Sequence, residues 1–201
     1  SDWLELDTSA HDLSKYYLRL PSYRDYPVVG ITQGQASAYS KWRSDRVFEF
    51  LLVKYGVIEW DTAQTEKTYF TIEKYFSNEY QGVKPDTNLY YPEFRLPDEI
   101  EWLSALNYND SIYNLFYEKC ISEYCKSCKE KYPMIHSNLD PSENSELTIN
   151  VYSGCTGISG KSIYNLQGNV SEWTSLPNYN IGGGWKNSKK DILNNNTFFL
   201  D

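Results

Sequence analysis

Histidine is nearly missing from this chain: His11 and His136 are the only two in 201 residues. Neither falls in a pairing motif, and each reads as a solvated side chain. Ser-His-Asp triads and histidine-ligated zinc hydrolases therefore lack their basic apparatus here. Long apolar runs are missing as well. The strongest, Val47–Val53, is broken by Glu49, and it falls far short of the roughly 20 residues that cross a bilayer. The amino end shows no signal-peptide pattern. It opens at Ser1-Asp2-Trp3 without Met and reads as a mature or trimmed segment. Positive charge is scarce, with 19 Lys and Arg against 27 Asp and Glu for a net charge of −8. The densest basic tract, Lys186 to Lys190, is closed by Asp191 and carries no interleaved aromatics to track a phosphate backbone. That pattern argues against nucleic acid as a partner.

Aromatic side chains are what the chain has in plenty: 19 Tyr, 8 Phe and 6 Trp. A tyrosine buries its ring and keeps a hydroxyl for a polar partner, which suits loop-rich interiors and binding surfaces alike. Four cysteines, Cys120, Cys125, Cys128 and Cys155, admit three disulfide pairings. Disulfides in an oxidising compartment are the expectation. A four-thiolate zinc site and inert thiols are the alternatives. Cys155 as an isolated nucleophile has no activating base beside it.

Along the chain, Tyr26–Ile31 reads as a short buried strand with Pro27 near its start. Thr32 and Gln35 form a capping box for a helix that carries Ala38, Tyr39, Trp42, Val47, Phe50 and Leu51 inward and stops at Gly56. Residues 57–93 are an elaboration, with a strand near Val57–Trp60 and a short helix over Thr71–Glu79. Pro85 and Pro92 bracket an extended loop. Asp98 and Glu101 make a second capping box; Glu99 and Glu101, two apart, do not face one another. Helical spacing returns over 110–131, and Lys131 to Gly160 reads as a long ordered loop. The length suits a single domain.

Phe94-Arg95-Leu96-Pro97-Asp98-Glu99-Ile100-Glu101-Trp102, Tyr164-Asn165-Leu166-Gln167-Gly168-Asn169-Val170-Ser171-Glu172-Trp173-Thr174 and Gly182-Gly183-Gly184-Trp185 resemble the core motifs of the sulfatase-modifying, formylglycine-generating-enzyme family. Tyr39-Ser40-Lys41-Trp42-Arg43 is similar to that family's AYCxWR helix. The resemblance implies an α+β, C-type-lectin-like domain with short irregular strands, a few helices and long loops, spanning 1–201. The family's opening and closing strands are not matched, so the domain is expected to be incomplete at both ends, or else to need another chain over its edge. The stretch Tyr16–Gly30, with Ser44-Asp45-Arg46-Val47 and Asn78-Glu79-Tyr80-Gln81-Gly82, resembles the gliding-motility lipoproteins (the GldJ type) of the type 9 secretion apparatus of Bacteroidota. That likeness implies a periplasmic, outer-membrane lipoprotein whose partners are other secretion and gliding lipoproteins and ring proteins.

The family's enzymes hold copper(I) on two cysteines placed after the serine of a Gly-Gly-Ser motif. Gly184 takes the serine's place, and the cysteine positions are Asn187 and Ile192. An isoleucine cannot ligate, and oxygen ligands suit copper(I) poorly. The expectation is therefore no catalytic residue, no enzyme activity and no copper. The resemblance also implies a structural calcium held by Asn165, Gly168, Val170 and Glu172, since calcium favours oxygens from carboxylates, amides and main-chain carbonyls. A second family calcium site would need Asn138-Leu139 with Glu143, at the wrong spacing, and is expected to be lost. Asn109, Asn169 and Asn195 fit the glycosylation pattern, which a bacterial origin makes accidental. Gly182–Gly184 lack the Lys-Ser/Thr of a phosphate cradle. Two functions remain: a non-catalytic structural component acting through protein contacts over residues 57–93, or a lectin-like module that binds a glycan on the tract Lys186–Asn196.

Overall fold

The computed structural model describes residues 17, 19–123, 148, 150–152, 163–194 and 197–199, without the side chains of 112–123, 189 and 193–199. The chain divides into two compact units: Thr32–Leu96, and Ser1–Ile31 together with Pro97–Asp201. Among the described residues no helix is long and apolar enough to cross a membrane.

In the first of these units, helix α1 (Gln33–Lys54) opens on the expected capping box. The Gln35 amide donates to Thr32 Oγ1 at 3.2 Å, and the Thr32 amide donates to Gln35 Oε1 at 2.9 Å. It also ends where expected. Gly56 takes φ of 70°, and the amides of Gly56 and Val57 reach back to the carbonyls of Val53 and Leu52.

The face that α1 buries is a correction to the sequence reading. Ser44, Asp45, Phe48, Glu49 and Leu52 are buried, whereas Tyr39, Trp42 and Phe50 are 61%, 48% and 56% exposed. Ala38 is exposed as well, and Val47 and Leu51 are half-buried. The reason is that the polar positions find partners inside the unit. Asp45 Oδ1 accepts from the Ile72 amide at 2.9 Å, and Ser44 Oγ from the Phe94 amide at 2.7 Å. Glu49 pairs with Arg46 at 2.7 Å and accepts from Gln64 Nε2. Arg46 also donates to the Phe70 carbonyl and lies over the Phe70 ring. Paired in this way, although Arg46 Nε and Glu49 Oε2 make no hydrogen bond among the described residues, buried charge competes with apolar periodicity for the inner face.

Around that polar strip Phe48, Leu52, Ile58, Phe70, Tyr75 and Tyr80 form an aromatic core. Its rings meet edge to face, Phe48 on Tyr75 at 5.6 Å and Phe70 on Tyr80 at 5.0 Å. Helix α2 (Ile72–Phe76) is capped by Thr71, whose hydroxyl accepts from the Lys74 amide. Val57–Trp60 forms no strand; it contributes the single buried side chain Ile58.

In the other unit, Tyr26–Ile31 is not a strand either. Pro27 has no amide to donate, and its carbonyl is taken by the Tyr17 hydroxyl at 2.9 Å. That hydroxyl also meets Thr148 Oγ1 at 2.7 Å. Helix α3 (Glu99–Glu123) starts at the expected box, with Glu101 N to Asp98 Oδ1 at 2.8 Å and Asp98 N to Glu101 Oε2 at 3.0 Å. It runs on without a break, so the two helices read from the sequence are one. Strands β1 (Glu172–Trp173), β2 (Tyr179–Ile181) and β3 (Thr197–Phe199) pair antiparallel in that order, with Glu172 opposite Ile181 and Ile181 opposite Thr197. Between β2 and β3 lies the short helix α4 (Lys189–Asn194). Trp102, Leu106, Leu166 and Ile181 make this unit's core.

Arg46→Met would leave the Glu49 carboxylate buried without its cation and should lower stability by roughly 3 kcal/mol. The double variant Arg46→Met, Glu49→Met should recover most of that loss. Urea unfolding followed by tryptophan fluorescence checks both; equal losses in the two variants would mean the pair is not the determinant.

Candidate functional site

The Asn165–Glu172 loop is built by its backbone. Asn165, Gly168 and Asn169 take φ of 55°, 80° and 60°, the left-handed region that Gly enters freely and Asn tolerates best among other residues. The loop is then fastened to the turn that follows β2: Gly168 N donates to Gly182 O, and Trp185 N to Asn169 O, both at 2.9 Å. Gly182 has no alternative at its position. A Cβ there would stand 2.4 Å from the Leu166 carbonyl oxygen and 3.2 Å from the Trp102 ring.

Beneath this junction the Trp102 indole N–H donates to Glu172 Oε2. Glu172 is part-buried as a residue, but its carboxylate end lies inside against the indole. Burial pushes its carboxyl up from 4.5 to about 7, and the indole hydrogen bond offsets only part of that rise. Among the described residues a full negative charge here meets one neutral donor.

The four residues expected to hold calcium thus end on a buried, under-compensated carboxylate. Asn165 Nδ2 donates to the Val151 carbonyl at 2.8 Å, which leaves Oδ1 as its free donor atom. Among the described residues no amide donates to the carbonyls of Gly168 or Val170. The available set is one carboxylate with neutral amide and main-chain oxygens, a hard-oxygen donor set. Among the described residues no three His, Cys, Asp or Glu cluster in a way that could hold a metal, so a cation here would rest chiefly on neutral oxygens.

Asn187 Oδ1 accepts from the Gly184 amide at 2.7 Å, and its own amide donates to Gly184 O at 2.9 Å. Ile192 is fully buried. The tract after Gly184 is partly α4, opened by Ser188, whose hydroxyl accepts from the Asp191 amide at 3.1 Å. Cys120 lies in the backbone of α3. Cys125, Cys128, Cys155, Asn138 and Glu143 lie outside the described residues. Glu101 caps α3, whereas Glu99 accepts from the Tyr179 hydroxyl at 3.2 Å, a tie that sequence spacing did not suggest. Trp102 stands in a motif quoted from the sequence, but its bond to Glu172 is not legible there. Its signal is its place at the fourth helical position after the Asp98 cap, where a side chain turns inward.

A group whose folded value is raised holds its extra proton in the folded state. The stability it contributes is therefore present at low pH and lost as pH rises from about 4.5 to about 7. The size is on the order of 3 kcal/mol. In chelator, urea midpoints measured between about pH 5 and about pH 8 should fall more steeply for the wild type than for Glu172→Gln, which stays neutral and still accepts from the indole. Parallel slopes would contradict the burial of this carboxylate.

The profile of the sulfatase-modifying factor enzyme 1-like domain matches residues 6–190. No curated protein and no solved structure matches the chain. The matched domain has the C-type-lectin-like fold, and the mixed helices, short strands and long loops described above are consistent with it. The chain belongs to the sulfatase-modifying factor enzyme 1-like domain family.

Proposed function

We propose that this domain is a non-catalytic structural component of a Bacteroidota gliding-motility and type 9 secretion machinery, placed at the periplasmic face of the outer membrane and acting through protein contacts. The observation that carries this reading is the fate of the two copper-ligand positions. Asn187 closes the turn at Gly184 and Ile192 is fully buried, so both serve packing, and neither offers a thiolate. The machinery itself is suggested by the likeness of Tyr16–Gly30 and Asn78–Gly82 to the gliding lipoproteins. Within 57–93, Trp60, Tyr69, Tyr90 and Tyr91 are 57%, 40%, 97% and 42% exposed, which suits a contact surface.

The same reading assigns a structural calcium to Asn165, Gly168, Val170 and Glu172. Calcium would supply the counter-charge that Glu172 lacks and draw the remaining oxygens of the loop together. Adding calcium to chelated protein should raise the melting temperature of the wild type and leave Glu172→Gln unmoved. An unchanged wild-type melting temperature, with no heat in titration calorimetry, would remove calcium from the proposal.

The function is tested by affinity purification of the tagged full-length protein from mildly cross-linked cell envelopes. Secretion-ring or motility lipoproteins in near-stoichiometric yield are the expected result. A clean preparation without partners would contradict it and favour glycan binding on 186–196.

A further inference from the structure

The outward turn of α1 leaves a row of large aromatic side chains exposed. Tyr39 and Trp42 stand on adjacent turns with their rings 5.5 Å apart, and Phe50 follows farther along the helix. Arg43, four residues after Tyr39, lies 5.7 Å over the ring of Phe94, which is 41% exposed. Among the described residues Arg43 has no acidic partner, although Glu93 is the sequence neighbour of Phe94. Lys54 is exposed, with its ammonium over the ring of Tyr55.

The charges of α1 are sorted by face. Its two acids, Asp45 and Glu49, are buried, while Lys41, Arg43 and Lys54 are exposed. Lys41 is occupied by Glu73, and among the described residues Arg43 and Lys54 have no acidic partner. On a chain of net charge −8, this helix presents aromatics and unpaired cations with no exposed anion.

We infer that the outer face of α1 docks a protein segment carrying carboxylates beside aromatic or aliphatic side chains. This rests on the reading that the domain works through protein contacts, and it names the surface and the chemistry of the partner. Exposed Trp, Tyr and Arg are the residues that dominate protein interfaces. The Tyr39 and Trp42 rings already lean on each other and Arg43 already lies over Phe94, so less side-chain freedom is lost on binding than for isolated side chains. Arg43 is oriented by Phe94 and can meet a carboxylate with two parallel N–H bonds, which a lysine cannot. The carboxylate is demanded by the unpaired cations, and the apolar neighbours by the exposed rings.

A random peptide library is panned on the full chain after depletion on Arg43→Glu, and a selected peptide is titrated by fluorescence anisotropy. The expected winners pair Asp or Glu with apolar residues. Their affinity should fall about tenfold or more in Arg43→Glu and in Trp42→Ser, and less in Arg43→Lys. Changing the peptide's acid to lysine should restore binding to Arg43→Glu. Both variants lie on the exposed face, and circular dichroism confirms that they fold. Winners without acids, equal binding to Arg43→Glu, or no winners at all would overturn the inference. So would cosedimentation with phosphatidylserine vesicles that is lost in Arg43→Glu while no peptide is selected, since the face would then serve lipid. In the envelope purification, partners kept by Arg43→Glu but lost on changing residues in 57–93 would sink this surface and leave the protein-contact reading standing. If wild type recovers no partner, that reading fails, and the peptide titration still decides the surface.

Discussion

The carboxylate of Glu172 beside the indole of Trp102 sets the terms for the unit around it. For the indole N–H to reach β1, α3 must bring Trp102 close beneath the Gly182 backbone, and only a glycine there clears both the ring and the Leu166 carbonyl. With Gly182 fixed, its carbonyl is the acceptor for Gly168, and the loop between 165 and 169 must turn through left-handed φ values to deliver that amide. The β1–β2 register, Glu172 opposite Ile181, then places the fully buried Ile181 in the cluster that holds Trp102. One polar contact and one missing side chain thus constrain a helix, a loop and a strand pair together.

The two units treat buried charge in opposite ways. In the Thr32–Leu96 unit, Glu49 is 1% exposed and is met by Arg46 and by Gln64. Desolvation there is offset inside the unit, at the cost of turning the aromatic side of α1 outward. Among the described residues Glu172 is met by the indole alone, and its carboxyl is pushed up to about 7. A charge that a fold leaves unbalanced points to something outside the chain, whereas a balanced one points inward to packing. The same chemistry therefore separates a structural network from a candidate site.

What was legible in the sequence is what depends on near neighbours. Both capping boxes and the Gly56 stop are decided within four or five residues, and each was found where the sequence placed it. The loop motif was equally legible, because Asn and Gly at 165, 168 and 169 answer a local backbone demand. The inner face of α1 was not. Asp45 is satisfied by Ile72 and Ser44 by Phe94, partners 27 and 50 positions away, and no periodicity encodes such ties. The strand expected at Tyr26–Ile31 failed for a related reason: a run of apolar residues makes a strand only if another strand accepts it, and Pro27 instead gives its carbonyl to a tyrosine. Trp102 and Glu172 were each visible, but their contact spans 70 positions.

Asn187 and Ile192 show how the stretch after Gly184 is held by its own side chains. A thiol at 187 would forfeit the amide oxygen that holds Gly184 N at 2.7 Å, so the turn depends on the asparagine. Ile192 fills space that a smaller, polarisable cysteine would leave partly empty, and nothing in the described core supplies the missing volume. Each position answers a packing demand within the same turn and helix. The contacts of Trp102 with Glu172 and of Gly168 with Gly182 pass through neither position, so that part of the junction stands independently of them.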